Sequence, residues 1–303
     1  MQRSAPALDW NRPRVISDAL ADLMEEYDAA FTRVEPVAAL TGFTDLDQVT
    51  SGLKPGSLVV VASRPSLGKT SFALDVASHV ALEQKLPVLI FSMDMSSMQI
   101  AARLACQTGR VDSYDFRVGL LAPDARERAA AAIEKLKDAD LYIDETPALK
   151  VSDLVARTRK VFDTHGRLGL VVIDHLQAMP PLHSEVTSTQ AYNEVMFELR
   201  ALAKEVDVPI VMLSRLNRKL EYRRNKRPIL SDLPSEAILQ NVDLLLFLYR
   251  DEVYDPESAD KGMAEIIIGR NRHGAVGTIR LRFIGEYGCF NSPYVADVNP
   301  MPT

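Results

Sequence analysis

Lys69 and Thr70 close the stretch Ser63-Arg64-Pro65-Ser66-Leu67-Gly68-Lys69-Thr70, and those two residue types after a glycine can do phosphate chemistry. The ammonium reaches the β- and γ-phosphates, the hydroxyl holds Mg²⁺, and backbone N–H groups of the loop surround the rest of a polyphosphate. Ser63 stands where the usual pattern has its first glycine, so the loop's place between a strand and a helix must carry the reading. Such a site needs a carboxylate besides the hydroxyl, and Asp174, at the end of an apolar run from Leu168, is placed to supply it. Asp94 also follows an apolar run and is a candidate to polarise an attacking water, while Ser214-Arg215 ends a third run. One strand-end Asp is as easily a helix cap; three strand ends beside a phosphate loop favour a site. Two basic clusters remain. Arg215 to Arg227 reads either as a solvated face or as a contact for phosphate of a nucleotide or nucleic acid. Arg270-Asn271-Arg272-His273-Gly274 falls in a stretch, Gly269 to Gly274, expected to be a hairpin tip. From there an arginine can reach an adjacent subunit's nucleotide.

The elements that must position these groups alternate along the chain. Val59 to Val61 is a buried strand feeding the loop, and the helix that follows runs from Thr70 to about Gln84. Further strands are Leu86 to Ser92, Leu141 to Ile143, Leu168 to Asp174 and Val208 to Ser214. Between them lie a helix capped by Ser96 or Ser97, an alanine-rich helix from Pro123 to about Lys137, one capped by Ser152, and one from Ser188 to Val206. Apolar strands alternating with amphipathic helices mean a mostly parallel sheet covered on both faces, with ligands at the carboxyl ends of the strands. Asp243 to Tyr249, Met263 to Ile268 and Gly277 to Phe283 come without helices between them and predict an antiparallel extension. Thr41 to Asp47 and Gly52 to Gly56 read as turns opening the main domain. Before them, Ile16, Leu20, Leu23, Met24, Tyr27, Phe31 and Val34 put one apolar stripe on a helix from Pro13. That helix either covers its own domain or docks on a neighbouring subunit.

The 303 residues are 47% hydrophobic and 25% charged, as in ordinary globular proteins, with no apolar run long enough to span a bilayer. No membrane association is expected, and the polar start after Met1 carries no export signal, so the expected location is cytoplasmic. Cys106 and Cys289 are too few for a metal site or disulfide framework and read as buried thiols. A net charge of −6 argues against a uniformly basic DNA-coating protein, although a ring can line its channel with cations and stay acidic outside.

Several further segments follow in a characteristic order. They are Thr41-Gly42-Phe43-Thr44-Asp45-Leu46-Asp47, Val88-Leu89-Ile90-Phe91-Ser92-Met93-Asp94-Met95, Ile173-Asp174-His175-Leu176-Gln177, Leu213-Ser214-Arg215-Leu216-Asn217-Arg218, Tyr249-Arg250-Asp251-Glu252-Val253-Tyr254 and Ala264 to Gly274. With the phosphate loop, they resemble the C-terminal motor domain of DnaB-type replicative DNA helicases, a RecA-like ATPase family, from about Thr41 to about Phe290. The resemblance implies an α/β P-loop NTPase core at 41–303 and an arm with a linker helix at 1–40, a short form without the family's helical N-terminal domain. It also implies hexameric rings that hydrolyse ATP with Mg²⁺ between subunits and move along single-stranded DNA in replication, with other replication proteins as further partners. By this likeness, residues 63–70, Arg215, Arg250, Arg270 and Arg272 bind the nucleotide. Thr70 and Asp174 hold the metal, and Asp94, Lys69, Asp174 and Arg272 serve catalysis. Three positions depart from the family pattern. Asp94 replaces its catalytic Glu and Arg215 its phosphate-sensing Gln, and Asp232-Leu233-Pro234-Ser235-Glu236-Ala237 shortens its DNA-contacting loop, leaving Ser235 and Glu236 as the nucleic-acid contacts. A second reading is therefore a nucleotide-dependent ring-forming or helicase-binding modulator with weak unwinding. A third, a RecA-like regulatory or recombination ATPase, fits the phosphate loop but not the full series.

Overall fold

The computed structural model describes residues 15–17, 19–21, 24, 38–181 and 188–293. The chain divides into Met1–Val37 and Ala38–Thr303. In the first unit the described residues from Ile16 to Met24 are helical, with Ile16, Leu20 and Met24 exposed; the rest of the helix expected from Pro13 to Val34 lies outside the described residues.

The larger unit is built on the strands β1 (Leu58–Ser63), β2 (Val88–Ser92), β3 (Leu141–Asp144), β4 (Leu170–Asp174), β5 (Ile210–Arg215), β6 (Leu244–Tyr249), β7 (Met263–Asn271), β8 (Gly277–Ile284) and β9 (Cys289–Asn291). Among the described residues these form one sheet in the order β3-β2-β4-β5-β1-β6-β7-β8-β9. β1, β2, β4 and β6 are buried along their whole length, so each must be apolar on both faces. The two-residue period then divides each strand between two cores. Val59 and Val61, Val88 and Ile90, Leu170 and Val172 face one core, with Phe72 of α2 (Lys69–Leu82) and Ile100 of α3 (Ser97–Gly109). Leu58 and Val60, Leu89 and Phe91, Val171 and Ile173 face the other, with Leu154 of α6 (Val151–His165) and Leu199 of α7 (Ser188–Glu205). Each such side chain, fully buried, stabilises the fold by about 1.5–3 kcal/mol.

Several expectations need correction. The stretch Thr41 to Asp47, expected as a turn, runs into a helix, α1 (Thr44–Thr50), and a short helix outside the expectations, α4 (Ser113–Val118), is started by Asp112, whose carboxylate accepts from the Tyr114 and Asp115 N–H groups. Ser96 does cap α3, with a reciprocal Gln99 contact, and Pro123 does begin α5 (Pro123–Lys137). Ser152 does not cap α6: the helix already starts at Val151, which the core buries completely, and Lys150 precedes it without a side-chain cap bond. β6 pairs parallel with β1, so the antiparallel extension begins with β7, and β9 adds to it. Nor is Gly269 to Gly274 all tip. β7 continues to Asn271 because a register shift between Leu245 and Leu246 lets Arg270 and Asn271 stay paired with β6, and the turn begins at Arg272.

Candidate functional site

The sheet order brings the carboxyl ends of β2, β4, β5 and β1 side by side, with Ser92 opposite Asp174 and Ser63 opposite Arg215. From β1 the chain turns through Ser66 at φ 66° and Gly68 at φ 104° into α2. Gly68 occupies the cap position and no side chain caps the helix, so the first N–H groups of α2 are left for an anion. A Cβ at Gly68 would stand 2.8 Å from Phe290 Cζ, which with the positive φ makes glycine necessary. Pro65, Ser66, Gly68, Lys69 and Thr70 line a cleft of about 600 Å³, a volume suited to a nucleotide. Ser63 and Leu67 lie buried beneath it, and Ser63 Oγ donates to the Arg64 carbonyl at 2.8 Å. Arg64 itself is held by Glu221 at 2.7 Å and the Leu216 carbonyl at 2.8 Å.

Thr70 Oγ1 donates to Asp174 Oδ2 at 2.7 Å. Both are oxygen ligands of the kind a Mg²⁺ ion takes when phosphates and waters complete its shell, so the donor set fits that ion. Lys69 is pushed down to about 8 by burial, and the Arg215 and Arg64 cations work in the same direction against the attraction of Asp174. A polyphosphate would supply the missing countercharge. Asp94 leans on its neighbours. Its Oδ2 lies 3.0 Å from Arg215 Nη2 and 3.2 Å from His175 Nδ1. Burial, followed by the Arg215 charge, holds the His175 imidazole below its ordinary value, so at neutral pH it stands beside Asp94 uncharged. Gln177 fixes the Arg215 backbone, accepting its N–H at 3.1 Å and donating to Ser214 Oγ at 2.8 Å.

Lys69, Thr70, Asp94, Asp174 and Arg215 therefore meet in one cleft. Arg250, Arg270, Arg272, Ser235 and Glu236 do not line it. Arg250 Nε donates to Glu252 at 3.0 Å and its guanidinium covers the Phe283 ring at 3.8 Å, so Phe283, not Arg250, faces the cleft. Arg270 donates to the Leu239 carbonyl at 2.6 Å and Arg272 to the Gln240 carbonyl at 3.1 Å, cations at the C-terminal end of α8 (Glu236–Asn241). Within this chain both are held by their own domain, Arg272 also lying 3.4 Å from Asp243. Ser235 is not a surface hydroxyl: it is buried and caps α8 by accepting from the Ala237 N–H, leaving only Glu236 exposed. The basic run is partly structural, since Arg223 grips buried Asp232 at 2.8 Å and Arg227 grips Glu265 at 2.8 Å, while Arg218, Lys219 and Arg224 are exposed. Sequence reasoning missed His175, Arg103, Phe283 and Tyr287, all of which line the cleft. Cys106 and Cys289 are buried, and burial pushes their thiols up to about 11 and about 12.

A phosphate loop, a strand-end carboxylate and a mainly parallel sheet define a P-loop nucleotide-binding α/β domain. Residues 39–292 match the DnaB-like helicase C terminal domain, and the chain belongs to that family. It is 40% identical over 278 residues to the replicative DNA helicase DnaB of Geobacillus stearothermophilus, covering 91% of this chain and 61% of that protein. Against the DnaB of Haemophilus influenzae it is 42% identical over 255 residues, 83% of this chain and 54% of the relative. The chain thus spans little more than half the length of these relatives. Among solved structures, an ATPase domain superposes with TM-score 0.86 at 33% identity, over 93% of this chain and 99% of that one. A DnaB-like replicative helicase solved in a study of its interactions with primase gives 0.83 at 32% identity, over 93% and 67%. No helix among the described residues is long and apolar enough to cross a membrane.

Proposed function

We propose that this domain hydrolyses ATP with Mg²⁺ and couples the reaction to movement along single-stranded DNA, as the motor of a homo-oligomeric, hexameric replicative ring in the cytoplasm. The observation that carries the reading is the Thr70–Asp174 contact beside Lys69 at the floor of the cleft. Lys69 binds the β/γ-phosphates, and the N–H groups at the start of α2 hold their oxygens. Thr70 and Asp174 would hold Mg²⁺, which when bound would supply positive charge against the phosphate oxygens. Asp94 orients a water whose oxygen bonds the γ-phosphorus as the bond to the β–γ bridging oxygen breaks. The electron pair leaves with ADP and the water's proton passes to Asp94 and then to solvent. Arg270 and Arg272 belong to the adjacent subunit's site in this reading, and the helix expected from Pro13 to Val34 links subunits. Arg270 is held by a backbone carbonyl, a neutral acceptor that a phosphate outcompetes, whereas Arg272 would in addition have to leave the Asp243 carboxylate 3.4 Å away.

A second reading is favoured by the 232–237 segment. Asp232 is satisfied by Arg223 and by the Ile229 N–H, and Ser235 by its own helix, so this loop offers DNA little. That would make the chain a nucleotide-dependent ring or helicase-binding modulator with weak unwinding. The test is nucleotide titration of Lys69→Ala, followed by ATPase and forked-duplex unwinding assays with and without single-stranded DNA. ATP affinity should fall at least tenfold; unchanged affinity refutes the site. DNA-stimulated hydrolysis with unwinding supports the motor, and nucleotide binding with neither supports the modulator.

A further inference from the structure

Two groups that would act on opposite sides of a phosphoryl transfer are in contact with each other. Asp94 and Arg215 sit on different strand ends, 121 residues apart, yet their side chains meet at 3.0 Å inside the nucleotide cleft. Each is about half exposed, 50% for Asp94 and 51% for Arg215, so neither is locked by packing. The Arg215 backbone, by contrast, is fixed by its pairing with Ser63 and by the Gln177 amide, so only its side chain can move.

We propose that Arg215 is a triphosphate-operated switch on Asp94. Without a γ-phosphate its guanidinium neutralises the carboxylate; a γ-phosphate draws the guanidinium onto itself and leaves Asp94, still beside His175, free to act on water. The inference rests on the nucleotide-site reading above and adds to it a competition between two anions for one cation. Magnitudes decide the direction. Half-exposed ion pairs are worth at most about fivefold in an equilibrium, whereas hydrogen bonds between charged groups can be worth roughly 10- to 150-fold. Phosphate also offers the planar guanidinium several oxygens in a matched geometry. The γ-phosphate therefore wins, and ADP, lacking it, leaves the Arg215–Asp94 pair closed. Water activation would then be confined to the triphosphate state.

A double-mutant cycle read by binding, without turnover, tests this. Wild type, D94N, R215Q and the double variant are titrated with the β,γ-imido analogue of ATP and with ADP, and K69A serves as the site control. Removing the Asp94 charge should tighten the analogue about fivefold more when Arg215 is present than in the R215Q background, because only then is a competitor removed. ADP should show no such difference between backgrounds. R215Q alone should weaken the analogue roughly tenfold or more while changing ADP by less than about twofold. If D94N acts by the same factor in both backgrounds, or if R215Q weakens ADP as much as the analogue, the switch is refuted. When K69A has lost both nucleotides in that experiment, the site reading survives the switch's failure. If K69A binds both like wild type, the site reading itself falls and the switch with it.

Discussion

Lys69 should make the nucleotide-free fold less stable than it would be with an uncharged residue, and the penalty should disappear in alkali. Its value is about 8 in the folded chain against an ordinary 10.5, chiefly because it is buried. A difference of about 2.5 at 1.36 kcal/mol each makes the charged lysine cost the fold roughly 3 kcal/mol below pH 8. For a cation depressed on folding, the unfolded chain binds more protons between pH 8 and 10.5, so stability rises with pH through that window and the cost is gone above it. The substitution is Lys69→Met, which keeps most of the stem and removes the charge. Absolute stabilities will not isolate the effect. Cys106 and Cys289 are pushed up by burial and lower stability as pH rises, and the substitution would leave Asp174 without its cation. The pH dependence of the difference between the two proteins cancels the cysteines and any constant offset. Denaturant unfolding without nucleotide, at fixed ionic strength, should show the wild type gaining roughly 2–3 kcal/mol on the variant between pH 7 and pH 10. A difference that does not change with pH would mean that Lys69 is solvated and that the desolvation reasoning fails.

Gly68→Ala should cost about 1–3 kcal/mol and weaken nucleotide binding, since the residue sits at φ 104° and its Cβ would meet Phe290 at 2.8 Å; thermal melting with and without nucleotide measures both. Asp243→Ala should cost roughly 3 kcal/mol in a denaturant melt. That carboxylate accepts from the buried Leu58 N–H at 2.9 Å and from half-buried Arg200 at 2.9 Å and lies 3.4 Å from Arg272, so its loss orphans the Leu58 N–H and takes the counter-charge from two arginines. If the site is completed between subunits, mixing Lys69→Ala with Arg272→Ala protein should restore some ATPase activity, because some interfaces then carry both wild-type halves; rates that merely add would count against it.

The parts of this molecule that were legible in the sequence are those whose cause is local. Val59 to Thr70 announces strand, loop and helix within a dozen residues, and Asp174 and Arg215 are readable because each ends an apolar run that a parallel sheet must bury on both faces. Ser152 misled because a hydroxyl near a helix start is a cap only if it stands just outside the first turn, and complete burial of Val151 inside the helix puts the cap position two residues earlier, at Lys150. Ser235 shows what spacing hides in another way: a polar residue in a loop aligned with DNA contacts is buried and its hydroxyl oxygen caps a helix by accepting from the Ala237 N–H. What no spacing announces is contact between distant segments. Tyr287 and Phe283 reach the cleft only because β8 and β9 bring the far end of the chain back to it: Phe290 abuts Gly68 and its N–H bonds Asp75 of α2 at 2.7 Å. The Asp94–Arg215 pair is of the same kind, since each residue read alone is a plausible catalytic group and only the sheet order puts one against the other. That order also explains where the fold tolerates its worst local choices. Two positive-φ positions, an uncapped helix start and a desolvated lysine all fall within residues 66–69, directly above strands buried in both cores. A loop so placed is held in shape by its surroundings, so its N–H groups and ammonium remain directed at a ligand before one arrives.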